Sequence, residues 1–258
     1  MQRFFTSRML AVAFATLFSL TAVTAAQGNE KCSNATLKGS YGLHATGTTP
    51  SGDFAAIGRF TFDGKGNLTG KLFTNVAGNY IESPEFMGTY SVSPNCIVTD
   101  TWGPPINTTH VSVIVDEGKG YVILNDTSGS GDTISGEAEK QLAEGKCSNA
   151  TLNGSYGLHA TGPVIGVGDF AAVGRFTFDG KGNLTGKVFF RVNGNNGETP
   201  EFTGTYSVSP GCIVTDDWGG GNAHVSVIVN DGNEYFILNP SNDRTVSGEA
   251  KKQSSEDD

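Results

Sequence analysis

Positive charge is scarce in this chain of 258 residues: 17 Lys and Arg stand against 26 Asp and Glu, for a formal net charge of −9. Nucleic acids and anionic membranes are held by clustered cations that displace counterions, and the sequence holds no such cluster. Histidine and cysteine occur only four times each and tryptophan twice. No Cys has a second Cys or a His within two to four residues, the spacing that zinc sites usually need. The Gly-x-Ser-x-Gly elbow, His-Glu-x-x-His and the Walker loop are all missing, so no familiar hydrolase, zincin or nucleotide-binding chemistry can be assigned. Gly64-Lys65-Gly66-Asn67 has the wrong spacing for a phosphate loop, and Asp63 to Asn67 lacks the alternating oxygen ligands and terminal Glu of an EF-hand. Neither a metal nor a cofactor is expected. No heptad or sustained helical period is present.

The one long apolar stretch lies at the start. Arg3 and Arg8 precede Met9 to Ala25, and Thr24-Ala25-Ala26 sets small residues before Gln27. This is the pattern of a cleaved signal peptide over residues 1–26, too short and too rich in Ser and Thr for a stable spanning helix. Cleavage would remove two arginines and leave 15 basic and 26 acidic residues, about −11 in all. The chain is expected to be secreted or periplasmic, with no membrane partner after cleavage and no nucleic-acid partner.

What remains is written twice. Lys31-Cys-Ser-Asn-Ala-Thr-Leu37 returns as Lys146 to Leu152, and Phe60 to Gly70 returns as Phe176 to Gly186. The offset is 115 at Cys32/Cys147, 116 at Phe54/Phe170, 114 at His110/His224 and 112 at Gly136/Gly248. Insertions fall where loops tolerate them, which places loops near 48–53, 103–109 and 126–132. Two domains follow, residues 31–141 and 146–253, joined by a short linker and trailed by an acidic tail at 254–258. Each copy holds two cysteines. A unit that once stood alone would close its own bridge, so Cys32 is expected to bond Cys96 and Cys147 to bond Cys212.

Within a repeat the apolar residues recur with a period of two, as on strands. Leu37, Tyr41, Leu43 and Ala45 alternate with polar or small residues, and Phe54, Ala56, Phe60 and Phe62 share a face opposite Ile57 and Arg59. Asp63-Gly-Lys-Gly-Asn67 supplies hairpin chemistry, and further strands fit 68–76, 86–92, 96–102, 110–115, 121–124 and 133–140. About eight short antiparallel strands per copy read as an up-and-down meander. Closure removes exposed edges, so the fold class is all-β, two tandem small antiparallel β-barrels. A two-sheet sandwich stays open as the alternative. The charges Arg59 and Glu85, with Arg175 and Glu201, are expected in water while the Phe face turns inward.

The strings Leu37-x-Gly-Ser-Tyr-Gly42, Phe62-Asp-Gly-Lys-Gly-Asn-Leu-Thr-Gly70, Gly88-Thr-Tyr-Ser-Val92 and Val246-Ser-Gly-Glu-Ala250 resemble uncharacterised exported proteins of soil bacteria. The likeness covers both repeats. In architecture the pattern is similar to allene oxide cyclase-like and lipocalin-like barrels, although no catalytic motif of those enzymes maps onto positions here.

The candidate site is Asp-x-Trp with a nearby His. Asp100, Trp102 and His110 recur as Asp216, Trp218 and His224, beside the loop that differs most between copies. A Trp platform with a carboxylate suits sugar stacking or a small ligand with a polar tip. The plainer reading makes Trp a plug, Asp a turn or cap residue, and His110 an exposed strand-end residue. His44 and His159 form the other matched pair and fall on the expected barrel exterior. Three functions follow: a binding module for a small apolar or carbohydrate ligand without covalent chemistry, a cofactor-free isomerase or cyclase of the allene oxide cyclase type, or a structural extracellular spacer. Oligomeric state is not legible at this level.

Overall fold

The computed structural model describes residues 32–254, so the expected signal peptide and all of the acidic tail beyond Ser254 lie outside the described residues. The first repeat forms β1 (Lys38–Thr49), β2 (Gly52–Asp63), β3 (Asn67–Val76), β4 (Asn79–Glu82), β5 (Phe86–Val92), β6 (Ile97–Trp102), β7 (Thr108–Val115), β8 (Gly120–Asn125) and β9 (Thr133–Lys140). All pairings are antiparallel, and β9 returns to β1 from Tyr41↔Lys140 to Thr48↔Thr133. That last ladder closes eight strands into a barrel and decides against the sandwich. The second repeat builds the same barrel from β10 (Asn153–Val164), β11 (Gly168–Asp179), β12 (Asn183–Val192), β13 (Asn195–Glu198), β14 (Phe202–Val208), β15 (Ile213–Asp217), β16 (Ala223–Val229), β17 (Glu234–Leu238) and β18 (Ser247–Lys252).

Two features depart from the sequence reading. The expected loop at 48–53 is mostly strand, because the β1–β2 ladder runs out to Thr49↔Gly52 and leaves only Pro50 and Ser51 to turn. The extra strand β4 was not expected at all. Its Asn79 and Glu82 offer no apolar alternation, and it is created by the Ala77-Gly78 turn, where both residues have positive φ. β4 pairs with one half of β3 and β5 with the other, so the two behave as a single interrupted strand. Ser83 bridges the break by exchanging hydrogen bonds with the Leu72 backbone, 2.9 Å each way.

Each barrel is filled from inside by the predicted face. Tyr41, Phe60 and Phe62 are buried with Leu43, Tyr90 and Val98, and Tyr156, Phe176 and Phe178 repeat this in barrel 2. Gly70 makes the fit possible: a Cβ there would lie 2.6 Å from the Phe86 ring and 2.8 Å from the Phe60 ring. The Tyr41 hydroxyl donates to the Gly118 carbonyl at 2.6 Å, as Tyr156 does to Gly232. The Asp63 carboxylate accepts from the Lys65, Gly66 and Asn67 amides and from the Asn67 side chain, which holds its pKa down to about 2. Disulfides join Cys32 to Cys96 and Cys147 to Cys212, as the duplication implies. Such bonds persist in oxidising compartments. Among the described residues no helix is long and apolar enough to cross a membrane.

The barrels pack against each other through their outsides. Ala55, Ile57 and Phe73 of β2 and β3 meet Val225, Val227 and Val229 of β16 and Phe236 and Leu238 of β17, forming a third apolar cluster. Around it the Asn75 amide donates to the Asn239 and Ser241 carbonyls at 3.3 and 3.0 Å, and Thr245 Oγ1 accepts from the Gly78 amide at 3.0 Å. His44 stacks on Phe236 and lies 2.8 Å from the Ser247 hydroxyl. Arg59, expected in water, is instead largely covered beside Glu144 of the linker at 3.4 Å. Arg175, Glu85 and Glu201 are exposed.

Candidate functional site

The antiparallel register of β6 and β7 sets Asp100 directly opposite His110, and that of β15 and β16 sets Asp216 opposite His224. Opposed residues share a face at close range. Their side chains point into the barrel, where His110 Nδ1 lies 2.8 Å from Asp100 Oδ1 and His224 Nδ1 lies 3.1 Å from Asp216 Oδ1. The tryptophans complete the group. Trp102 packs at a tilt on His110 with ring centroids 3.8 Å apart, and Trp218 on His224 at 3.7 Å. Phe60 and Phe176 back the indoles at 4.6 and 4.5 Å.

This arrangement differs from the plainer sequence reading at two points. His110 is not exposed at a strand end; it is 6% accessible, because its ring packs inside the barrel against Asp100 and Trp102. Asp100 is neither a turn nor a cap residue, since it lies inside a ladder and behind the two rings. Burial pushes the Asp100 and Asp216 carboxyls up, and the hydrogen bond from the facing His draws each back down, with the Trp indole adding a smaller pull. Where the carboxyl is ionised it accepts from Nδ1–H, and a neutral imidazole then presents Nε2 as the acceptor. In barrel 2 the Asn239 amide approaches that Nε2 at 3.3 Å. In barrel 1 the equivalent Asn125 turns toward Asp132 at 3.4 Å.

Each His–Trp pair borders a cavity at the barrel end that carries the variable loops. In barrel 2 it measures about 540 Å³ and is walled by Leu158, Phe170, Val188, Phe190, Trp218 and Val246, with His224, Asn239 and Arg244 as polar points. In barrel 1 it shrinks to about 190 Å³. Three exchanges add bulk to the lining of barrel 1, against one of the opposite sense, Thr74 where barrel 2 has Phe190. Leu72 stands where barrel 2 has Val188, Ile134 where it has Val246, and Ile106 drops into the core from a loop whose counterpart is Gly219-Gly220-Gly221. His and Trp line both cavities, whereas Asp100 and Asp216 touch neither. The sequence reading missed Asn239, Arg244 and the aromatic walls. The exchange of Asp132 for Arg244 at matched positions was a visible signal that the two mouths differ. No group of three or more His, Cys, Asp and Glu suited to a metal exists among the described residues.

No protein-family model and no curated protein matches the sequence. Solved structures share the barrel theme only distantly. A variant of transferrin-binding protein B from Haemophilus parasuis is 12% identical, with 84% of this chain and 76% of that one covered at a TM-score of 0.32. Kievitone hydratase from Nectria haematococca is 6% identical, with coverage of 89% and 95% at 0.29. A protein of unknown function from Nostoc punctiforme is 9% identical, with coverage of 86% and 100% at 0.26. Likeness this weak carries no functional inference, and the barrel assignment stands on the strand ladders alone.

Proposed function

We propose that the chain is an exported binding module whose second barrel takes a small, mostly apolar ligand with one hydrogen-bonding tip. The observation that carries this reading is the 540 Å³ cavity, within the roughly 300–1,000 Å³ of small-molecule sites and walled by aliphatic and aromatic side chains. Trp218 offers a stacking face, and His224 and Asn239 offer an acceptor and a donor to a tip that parts their 3.3 Å contact. Asp216 orients the imidazole from behind and has no contact with the ligand. The aliphatic wall favours an apolar body over a carbohydrate. Barrel 1, with 190 Å³, acts as the structural partner; in that barrel the spacer reading applies.

An isomerase or cyclase of the allene oxide cyclase type is the second reading. The Asp216–His224 pair supports it, because a His with Nε2 free to accept is a competent general base once a substrate displaces Asn239. Binding ranks first because the carboxylates stand behind the rings instead of in the cavity.

The test is titration with the apolar dye N-phenylnaphthylamine, alongside native mass spectrometry of protein from its own host. One dye site per chain is expected. Val188→Phe, which fills the cavity, should weaken it at least about tenfold, or ~1.4 kcal/mol. Unchanged dye affinity in Val188→Phe would overturn the assignment to barrel 2.

A further inference from the structure

The contact between the two barrels joins unlike faces: the outside of β2–β3 on one and the outside of β16–β17 on the other. Because the barrels are copies, each face exists twice, and only one of each is used. Barrel 2 leaves its β11–β12 face open, with Val173 55% and Phe189 48% accessible where Ile57 and Phe73 are buried. Barrel 1 leaves its β7–β8 face open, with Val113 44%, Val122 45% and Leu124 51% accessible where Val227, Phe236 and Leu238 are fully buried. A Cβ added to Gly42 would sit 2.5 Å from Val229 of the docked barrel, whereas one added to Gly157 would meet nothing within 4 Å.

We infer that these two free faces bind each other between molecules, so that a second copy of this chain docks its barrel 1 onto barrel 2 of the first. The interface is heterologous, and repeating the same operation gives a head-to-tail array or a closed ring. The polar rim changes in a matched way. Arg191 replaces Asn75 on the receiving face, while Asp126 replaces Pro240 beside Asn125, the match of the Asn239 whose carbonyl Asn75 contacts. A cation meeting an anion suits this pairing, and the internal contact lacks it. The apolar core is smaller than inside the molecule, since Val173 stands for Ile57 and Val122 for Phe236. The contact between chains is therefore weaker than the tethered one, whose linker raises the effective concentration of its partner.

Sedimentation velocity on the full chain over a concentration series tests this independently of the ligand reading. The wild-type mass should rise with concentration beyond that of one chain. Val173→Asp and Leu124→Asp each spoil one exposed face without touching a core, and unchanged circular dichroism and dye binding would verify intact folds. Either variant alone should remain a single chain. An equimolar mixture should form a dimer and stop there, because each variant keeps the face that the other needs. A wild type that stays a single chain at every concentration would overturn the proposal. So would a variant that still self-associates, or a mixture that does not pair, because either points to a symmetric contact or to some other surface.

Discussion

The two barrels carry nearly the same residues and put them to different use. Trp102 and Trp218, His110 and His224, Asp100 and Asp216 adopt one geometry in both, yet the space that the Trp and His rings face differs almost threefold, 190 against 540 Å³. The outside shows the reverse pattern. Ile57 and Val173 are close in chemistry and occupy the same strand position, but one is 0% and the other 55% accessible. Inside a barrel, a few exchanges on the wall and in the loop at its mouth set how much room remains, because packed interiors leave little slack. Outside, the sequence at a position says little, and what is docked against it decides its environment.

The largest expected effect is one on which the barrels should not differ. Each disulfide spans nearly the same length, 64 and 65 residues. On the chain-entropy model Cys96→Ser and Cys212→Ser should therefore each cost about 4 kcal/mol. Urea unfolding of the two variants checks this, and a difference above ~1 kcal/mol would mean that the barrels rely on their bridges unequally.

A smaller and asymmetric effect should come from the outer faces. Ile57→Ala opens a hole in the cluster between the barrels and is expected to cost about 3 kcal/mol, within the range for buried Ile or Leu truncations. Val173→Ala removes an exposed methyl pair and should stay within ~0.5 kcal/mol when measured on dilute single chains. Equal losses at the two sites would show that the barrels separate in solution.

Much of this architecture could be read from the chain. The period of two in Leu37 to Ala45 and in Phe54 to Phe62 named the inward face, and the duplication paired the cysteines. Closure followed from the cost of bare strand edges. The short β4 escaped because four residues without apolar alternation leave no periodic trace. Asp100 and Trp102 were legible as face-sharing, since two residues on a strand suffice for that. The Asp100–His110 pairing was not, because it depends on the β6–β7 register, which a loop of variable length hides. His44 shows the same limit: its strand position placed it correctly on the barrel exterior, but only the docking of β17 shows that this exterior is covered.

His44 also supplies the finest probe of the comparison. Burial against Phe236 pushes its pKa down to about 4 from an ordinary 6.5, with nearby Glu249 only partly opposing the shift. A His whose folded pKa is depressed resists protonation in the folded state. Its share of stability is therefore intact above the unfolded value of about 6.5 and is lost as pH falls from there toward 4. His44→Gln keeps a side-chain hydrogen-bonding group near Ser247 but cannot take up the proton. Wild type should thus lose stability relative to His44→Gln across that window, with the gap growing as pH falls. His159, the matched residue, is exposed on the face left free within one chain, so His159→Gln should track wild type when dilute single chains are compared. Thermal melts of the three proteins at pH 7, 5.5 and 4.5 provide the measurement. If His159→Gln and His44→Gln behaved alike, the docked face would be no drier than the free one, and the difference between the two exteriors would lose its physical basis.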